Sequence, residues 1–354
     1  MPPRRRKRID PALFELPVDR IRAGEFSDAY LNRAREALRS GNRAPRVTWQ
    51  VSARNDGWLG GIDEAVALLR LCADDFASLD VHALYEGDSI EAWDTVLVVE
   101  GDYTSFCHLE TLALGALARR TRVCTNVRWL VDAARPKPIY YFGARSDHAL
   151  LQPGDGLSAH VAGASSVSTD AQGLFTGKKG AGTIPHALIA AFGGDTVAAA
   201  QSVAAILPPE VPLIVLVDYE NDSVATSLAV ARALDGRLWG VRLDTSETMV
   251  DKSVVSQMGT FPPTGVNAAL VWNVRNALDA EGFGDVKIVV SGGFNAERIG
   301  EFEDDGVPVD AYGVGTSIHE GRWDFTADVV QVDGTAQSKA GRELRTNAKL
   351  EKVK

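Results

Sequence analysis

The sequence predicts an α/β protein in which an incomplete (β/α) barrel follows an N-terminal α/β sandwich-like domain. Three observations predict it. From about residue 136, short apolar runs of strand length alternate with stretches of helical period, the pattern of parallel strands joined by helices. Nearly all of those runs end in a polar or glycine-bearing turn, which is where α/β barrels carry their chemistry. Residues 9–134 mix helix and strand signals without that alternation. The 354 residues suit two domains better than one. Domains are expected over 9–134 and 135–328, with a C-terminal segment, 329–354, packing back on the first.

In the first domain, Ala29, Leu31, Ala34 and Leu38 recur at helical spacing within 26–40. Strands are expected over 47–51 and 96–100. An apolar helix is expected over 106–121, closing on Arg119 and Arg120, cations suited to a helix C-terminus. In the barrel the expected strands are 139–142, 159–162, 213–217, 238–243, 286–290 and 311–314. The helices between them are 185–192, 196–204, 223–234, 268–281 and 296–304. Residues 330–354 read as a strand, a turn at Asp333-Gly334, and a polar tail.

The formal net charge is −10, which argues against a nucleic-acid-binding face. No stretch is long and apolar enough to span a bilayer. The basic run Arg4, Arg5, Arg6, Lys7, Arg8 has no apolar run after it, so it reads as a solvated tail rather than a secretory signal. Cys72, Cys107 and Cys124 are far apart and form no C-x-x-C pair; they read as buried apolar residues in a reducing, cytoplasmic setting.

Two turns suggest a phosphate cradle. A buried-strand run, 287–290, leads into Ser291-Gly292-Gly293, and 309–312 leads into Gly313-Val314-Gly315-Thr316. Glycine removes the Cβ that would keep an anion from backbone N–H groups. Consecutive turns late in a barrel match the phosphate site after its last strands. Many chemistries share that feature, so it names no reaction.

The resemblance is carried by Ser27-Asp28-Ala29-Tyr30, Leu109-Glu110-Thr111, Phe142-Gly143-Ala144-Arg145, Gly182-Thr183-Ile184-Pro185-His186, Gly240-Val241-Arg242-Leu243-Asp244-Thr245 and the two cradle turns. In order and spacing they resemble the nicotinate phosphoribosyltransferase family, the type II phosphoribosyltransferases, over about residues 26–345. The resemblance implies that nicotinate and phosphoribosyl pyrophosphate give nicotinate mononucleotide and pyrophosphate, coupled to ATP hydrolysis with magnesium. It implies a homodimer or an assembly of dimers, in which Tyr30 offers an aromatic face to the partner's site. It also implies that His186 takes phosphate from ATP.

The residue types fit that chemistry. Arg145, at a strand end, would bind phosphate and stack on the ring, which Arg does better than Lys. His186 opens a helix, with Thr183 as the expected N-cap, and suits an anion-facing position. Arg242 and Asp244 alternate at a strand end and so share a face. Arg242 would pair with a carboxylate, and Asp244 would hold a ribose hydroxyl or magnesium; an ion pair between the two is the structural alternative. Asp218 is a further magnesium candidate. Thr245, Ser165, Ser166 and His148 stand at strand ends as further substrate contacts. Lys178 and Lys179 lie in a glycine-rich loop, 176–180, suited either to closing over pyrophosphate or to a solvated turn.

The chain departs from its relatives where many carry a second Arg after Arg145: here Ser146, Asp147 and His148 follow. That leaves three other readings. One is a quinolinate or other-base phosphoribosyltransferase, another a non-catalytic homologue that binds a nucleotide or phosphorylated sugar, and the last an unrelated phosphate-binding barrel.

Overall fold

A computed structural model describes residues 7–259 and 261–353. They divide into two compact units. The first runs to Arg128 and takes in Pro153–Ala162 and Glu320 onward; the second comprises Trp129–Gln152 and Gly163–His319.

The first unit is built on an antiparallel six-stranded sheet in the order Thr335–Ala336, Phe325–Val332, Arg46–Ala53, Thr95–Asp102, Asp80–Ala83, Glu351–Lys352. Strand Arg46–Ala53 is central because it is buried on both faces. The helix Ile62–Cys72 lays Ile62, Ala65, Val66, Leu69 and Cys72 into the core beside Val51, Val81 and Leu97. All three cysteines are free and buried, as their sequence context suggests.

Two expectations fail in this unit. The long helix runs over Glu110–Ala134 and does not end at Arg119 and Arg120. Both arginines instead bind the buried Asp155, Arg119 through two contacts (2.6 and 3.0 Å), while Arg120 also reaches Glu64 at 2.9 Å. These partners, remote in sequence, compensate two cations that the local pattern assigns to a helix end. Nor is all of the basic tail solvated. Arg4, Arg5 and Arg6 lie outside the described residues, but Arg8 binds Asp63 at 2.8 Å and the carbonyls of Ala83 and Leu84, and stacks 4.4 Å from the Tyr85 ring.

The second unit is a curled, all-parallel six-stranded sheet in the order Ser166–Val167, Ile139–Tyr141, Ala311–Val314, Lys287–Val290, Leu238–Leu243, Leu213–Leu216. The irregular stretch 181–184 links its two edges. Ala181 N–H donates to Val167 O at 2.7 Å, and Ile184 N–H donates to Ile214 O at 3.1 Å. Glycines at 180 and 182 and a proline at 185 keep this stretch from becoming a regular strand. Ile214, Val289 and Ala311 form an interior cluster with Tyr140 and Trp239 packed on it.

The expected helices Ser223–Leu234 and Ala296–Asp304 are present with those bounds. The expected strand 159–162 is not; these residues end the helix Gln152–Ala162. The helix is buried continuously over 154–159 and again at Ala162, Pro153 sits in the first turn, and Gly163 at φ +108° stops the helix. The strand in that part of the sheet is the two-residue Ser166–Val167. No helix among the described residues is long and apolar enough to cross a membrane.

Candidate active site

The C-terminal ends of the parallel strands bring most of the expected site residues together. Arg242, near the end of Leu238–Leu243, is the hub. Its Nε donates to Ser291 Oγ at 2.7 Å, one terminal nitrogen donates to Thr183 Oγ1 at 3.1 Å, and the other pairs with Asp244 Oδ2 at 3.1 Å. The guanidinium lies 4.8 Å from the centre of the Phe142 ring. Three of its five N–H groups are thus committed, and two remain for a ligand. Ser291 Oγ also donates to Asp244 Oδ1 at 2.6 Å, so three strand-end residues lock one another in place. The shared face of Arg242 and Asp244 was legible from strand alternation; the ion pair that tethers them was the structural alternative, and both hold.

Thr183 is therefore not a helix cap. Its hydroxyl serves Arg242, and the N-cap of the helix His186–Ala191 is Pro185, which makes no side-chain cap bond. His186, at the first turn, has Nε2 3.0 Å from Asp218 Oδ1, where an ionised carboxylate accepts from the Nε2–H tautomer. With Nε2 as the donor, the neutral ring keeps its lone pair on Nδ1. The His186 side chain is 43% exposed and that of Asp218 only 7%. Burial pushes the Asp218 carboxyl above its ordinary range; the bond from His186 works against that, and the negative charge of Asp244 adds to it.

The first cradle turn is open to an anion. Gly292 and Gly293 have φ of +85° and +71°, which L-residues with side chains rarely adopt. No acceptor among the described residues takes the N–H of Gly292, Gly293 or Gly315. Arg298 was missed from sequence. Its side chain donates to Gly292 O (3.1 Å), Gly293 O (3.3 Å) and Val266 O (2.5 Å), and stacks on Phe294. A trans peptide points its C=O and N–H to opposite sides, so holding those carbonyls turns the N–H of Gly293 and Phe294 the other way. An Arg at the third position of a helix that follows Ser-Gly-Gly was the available signal.

In the second turn, Gly313 and Val314 lie within a buried strand. A Cβ on Gly313 would come within 2.2 Å of the Phe142 ring, so this glycine admits the ring on which Arg242 rests. Gly315 and Thr316 stand past the strand end.

The remaining candidates are placed as follows. Arg145 closes a 3-10 turn directly after Ile139–Tyr141 and is exposed. His148 caps the next turn, accepting from Leu150 N–H. Ser165 donates its N–H to Ile139 O and is exposed. The hydroxyls of Ser166 and Thr245 are buried without a protein partner, the state of groups awaiting a ligand or water. Lys178 is docked on the carbonyls of Ala164 and Ser165, and Lys179 pairs with Asp170. Tyr30 belongs to the first unit, on the helix Ala29–Ser40, and is 61% exposed.

Comparison with known proteins decides the family. A model described as quinolinate phosphoribosyl transferase, N-terminal domain, matches residues 28–121, and its C-terminal-domain counterpart matches 123–328. The chain belongs to the type II phosphoribosyltransferases. A curated relative named nicotinate phosphoribosyltransferase pncB1, from Mycobacterium tuberculosis, is 30% identical over 271 residues, covering 73% of this chain and 55% of that protein. This type II chain thus spans about half the length of the curated relatives it matches. The solved nicotinate-nucleotide pyrophosphorylase of Pyrococcus furiosus is 32% identical, with a TM-score of 0.79 over 93% of this chain and 80% of that one. Human nicotinic acid phosphoribosyltransferase shares the fold at 18% identity, with a TM-score of 0.67 over 90% of this chain and 77% of that one.

Proposed function

We propose that this type II chain transfers the phosphoribosyl group of phosphoribosyl pyrophosphate to nicotinate, in pyridine-nucleotide synthesis or salvage. The C1–oxygen bond to pyrophosphate breaks as the bond from the ring nitrogen to C1 forms. The observation that carries the reading is the cluster of Arg242, Asp244 and Ser291 beside the open amides of Gly292 and Gly293. The amides hold the 5′-phosphate, Asp244 takes a ribose hydroxyl, and the two uncommitted N–H groups of Arg242 meet the negative charge of base or donor. Arg145, exposed at its strand end, stacks on the ring and neutralises the leaving group.

ATP coupling is part of the proposal. The Nδ1 lone pair of His186 attacks the γ-phosphorus of ATP as the bond to the bridging oxygen breaks and ADP leaves, while Asp218 holds Nε2–H and stabilises the ring as it gains charge. Among the described residues no three His, Cys, Asp or Glu side chains gather as a metal site. Magnesium would arrive on the diphosphate, taking most of its ligands from phosphate and water, with Asp218 or Asp244 as single carboxylate partners. The exposed Tyr30 would serve a second copy of the chain in a dimer. A cytoplasmic setting completes the reading.

Quinolinate is the second reading, favoured by the descriptions of both family models. A diacid calls for a denser cationic pocket. Here Arg298 and Lys178 are bound to carbonyls, which leaves Arg145 and part of Arg242. The deciding assay supplies phosphoribosyl pyrophosphate and magnesium, with and without ATP, and offers nicotinate, nicotinamide or quinolinate in turn while pyrophosphate is followed. ATP-stimulated release with nicotinate is expected. Release with quinolinate alone transfers the assignment to the second reading, and no release with any base overturns the enzymatic one.

A further inference from the structure

In the first unit, three arginines from two segments, Arg54 and the stretch that carries Arg342 and Arg345, converge on one indole. The guanidinium carbons of Arg54, Arg342 and Arg345 lie 5.3, 5.4 and 5.3 Å from the centre of the Trp93 ring. The three cations gather on one ring in a chain whose formal net charge is −10. Cation–π attraction does not account for it. An indole has two negative faces and a positive edge, so a third guanidinium must share a face with a like charge or meet the edge. Asp328, at 3.0 Å from Arg342, is the one carboxylate among the described residues that pairs with any of the three. Asp56 and Asp94, in the same region, take the amides of Ala92 and Glu91 instead.

The arrangement is built rather than incidental. Arg345 N–H donates to Gln50 Oε1 at 2.9 Å, and its carbonyl accepts from Thr95 Oγ1 at 2.9 Å. Gln50 Nε2 reaches Glu343 O, and Asn347 reaches Thr95 O. Gln50 and Thr95 are buried, so two interior side chains fasten the segment that carries the arginines to the end of the sheet. Trp93 itself is held at φ +74°, a conformation unusual for a bulky residue and of the kind that the surrounding structure must impose. Arg342 and Arg345 also lie past residue 328, where the family match ends.

We propose that Arg54, Arg342, Arg345 and Trp93 form a second anion site, built from none of the strand-end residues, that binds a phosphate-bearing small molecule. Two free guanidiniums supply charge and paired donors for phosphate oxygens. The site stands whether or not the transferase reading does.

The test titrates the full-length protein with inorganic pyrophosphate, following heat and tryptophan fluorescence together. The proposal predicts a binding event that changes fluorescence, disappears from the fluorescence signal in Trp93→Phe, and weakens at least tenfold in the double variant Arg54→Ala/Arg345→Ala. That event weakens with added salt and survives Arg242→Ala. Should the double variant not fold, the single changes Arg54→Gln and Arg345→Gln carry the same expectation at about threefold or more each. Superimposable titrations of folded variant and wild type, or a fluorescence change that persists in Trp93→Phe, overturn the site. So does the absence of any salt-sensitive binding in the wild type.

Discussion

Replacing Arg298 by Ala should weaken binding of the phosphate donor while leaving the bound complex able to react. The side chain holds Gly292 O and Gly293 O from one side, and so aims the N–H groups of Gly293 and Phe294 to the other. Without it, two glycines at positive φ regain freedom that must be lost again when phosphate binds. Fixing one residue's backbone costs about 1–2 kcal/mol. The Asn295 cap, which accepts from Arg298 N–H at 2.9 Å through the main chain, survives the change and retains part of the order. A net loss of about 1.5–3 kcal/mol follows, or roughly 10–150-fold in Kd for phosphoribosyl pyrophosphate. Calorimetry gives Kd, and pyrophosphate release gives kcat and KM separately. KM for the donor should rise with Kd while kcat stays within a few-fold. Arg298→Lys should recover part of the loss, since one ammonium reaches a carbonyl but cannot span both. A folded Arg298→Ala protein whose Kd lies within twofold of wild type refutes the reasoning, as does a fall in kcat at unchanged KM.

Three other outcomes follow from the same geometry. His186→Ala should abolish ATP stimulation of pyrophosphate release and leave residual transfer; stimulation that survives removes His186 from the phosphoryl step. Gly313→Ala should destabilise by about 1–3 kcal/mol through overpacking and displace the Phe142 ring from under Arg242, seen as a lower Tm with reduced transfer. Burial, reinforced by Asp63, pushes the Glu86 carboxyl up to about 8. A raised folded value favours the protonated form, so the stability tied to it is whole below the unfolded value and fades as pH rises toward 8. Thermal unfolding should therefore show Tm falling across that window, and Glu86→Gln should flatten the slope.

What the sequence reveals here is what local periodicity encodes. Helices Ser223–Leu234 and Ala296–Asp304 were legible as stretches of helical period between strand-length runs, and the structure adds Asp222 and Asn295 as their caps. The alternation of Arg242 and Asp244 placed both on one side of a strand end. The misreadings arise where distant partners decide. Residues 159–162 are apolar enough for a strand, and only packing along Gln152–Ala162 makes them a helix end. Thr183 sits where a cap belongs, but Arg242, 59 residues away, takes its hydroxyl. Arg298 leaves only its place in the helix after Ser-Gly-Gly as a signal, because its partners are main-chain carbonyls, which leave no complementary residue in the sequence.

That same distinction bears on which base the chain takes. In the proposed reaction, phosphate recognition would rest on main-chain amides, and a resemblance built on Ser-Gly-Gly carries over with the backbone. Base recognition, on the same proposal, would rest on side-chain charge, which one substitution changes. Where the family resemblance leads one to expect a second Arg, this chain has Ser146, then Asp147, exposed after Arg145. A monoacid needs one cation, and a diacid needs two with no carboxylate beside them. Ser146→Arg should therefore favour quinolinate over nicotinate relative to wild type, measured as the ratio of kcat/KM values, with Asp147→Asn moving the ratio the same way. A ratio unchanged in both variants places base selection elsewhere, on Arg242 and the buried, unpartnered hydroxyls of Ser166 and Thr245.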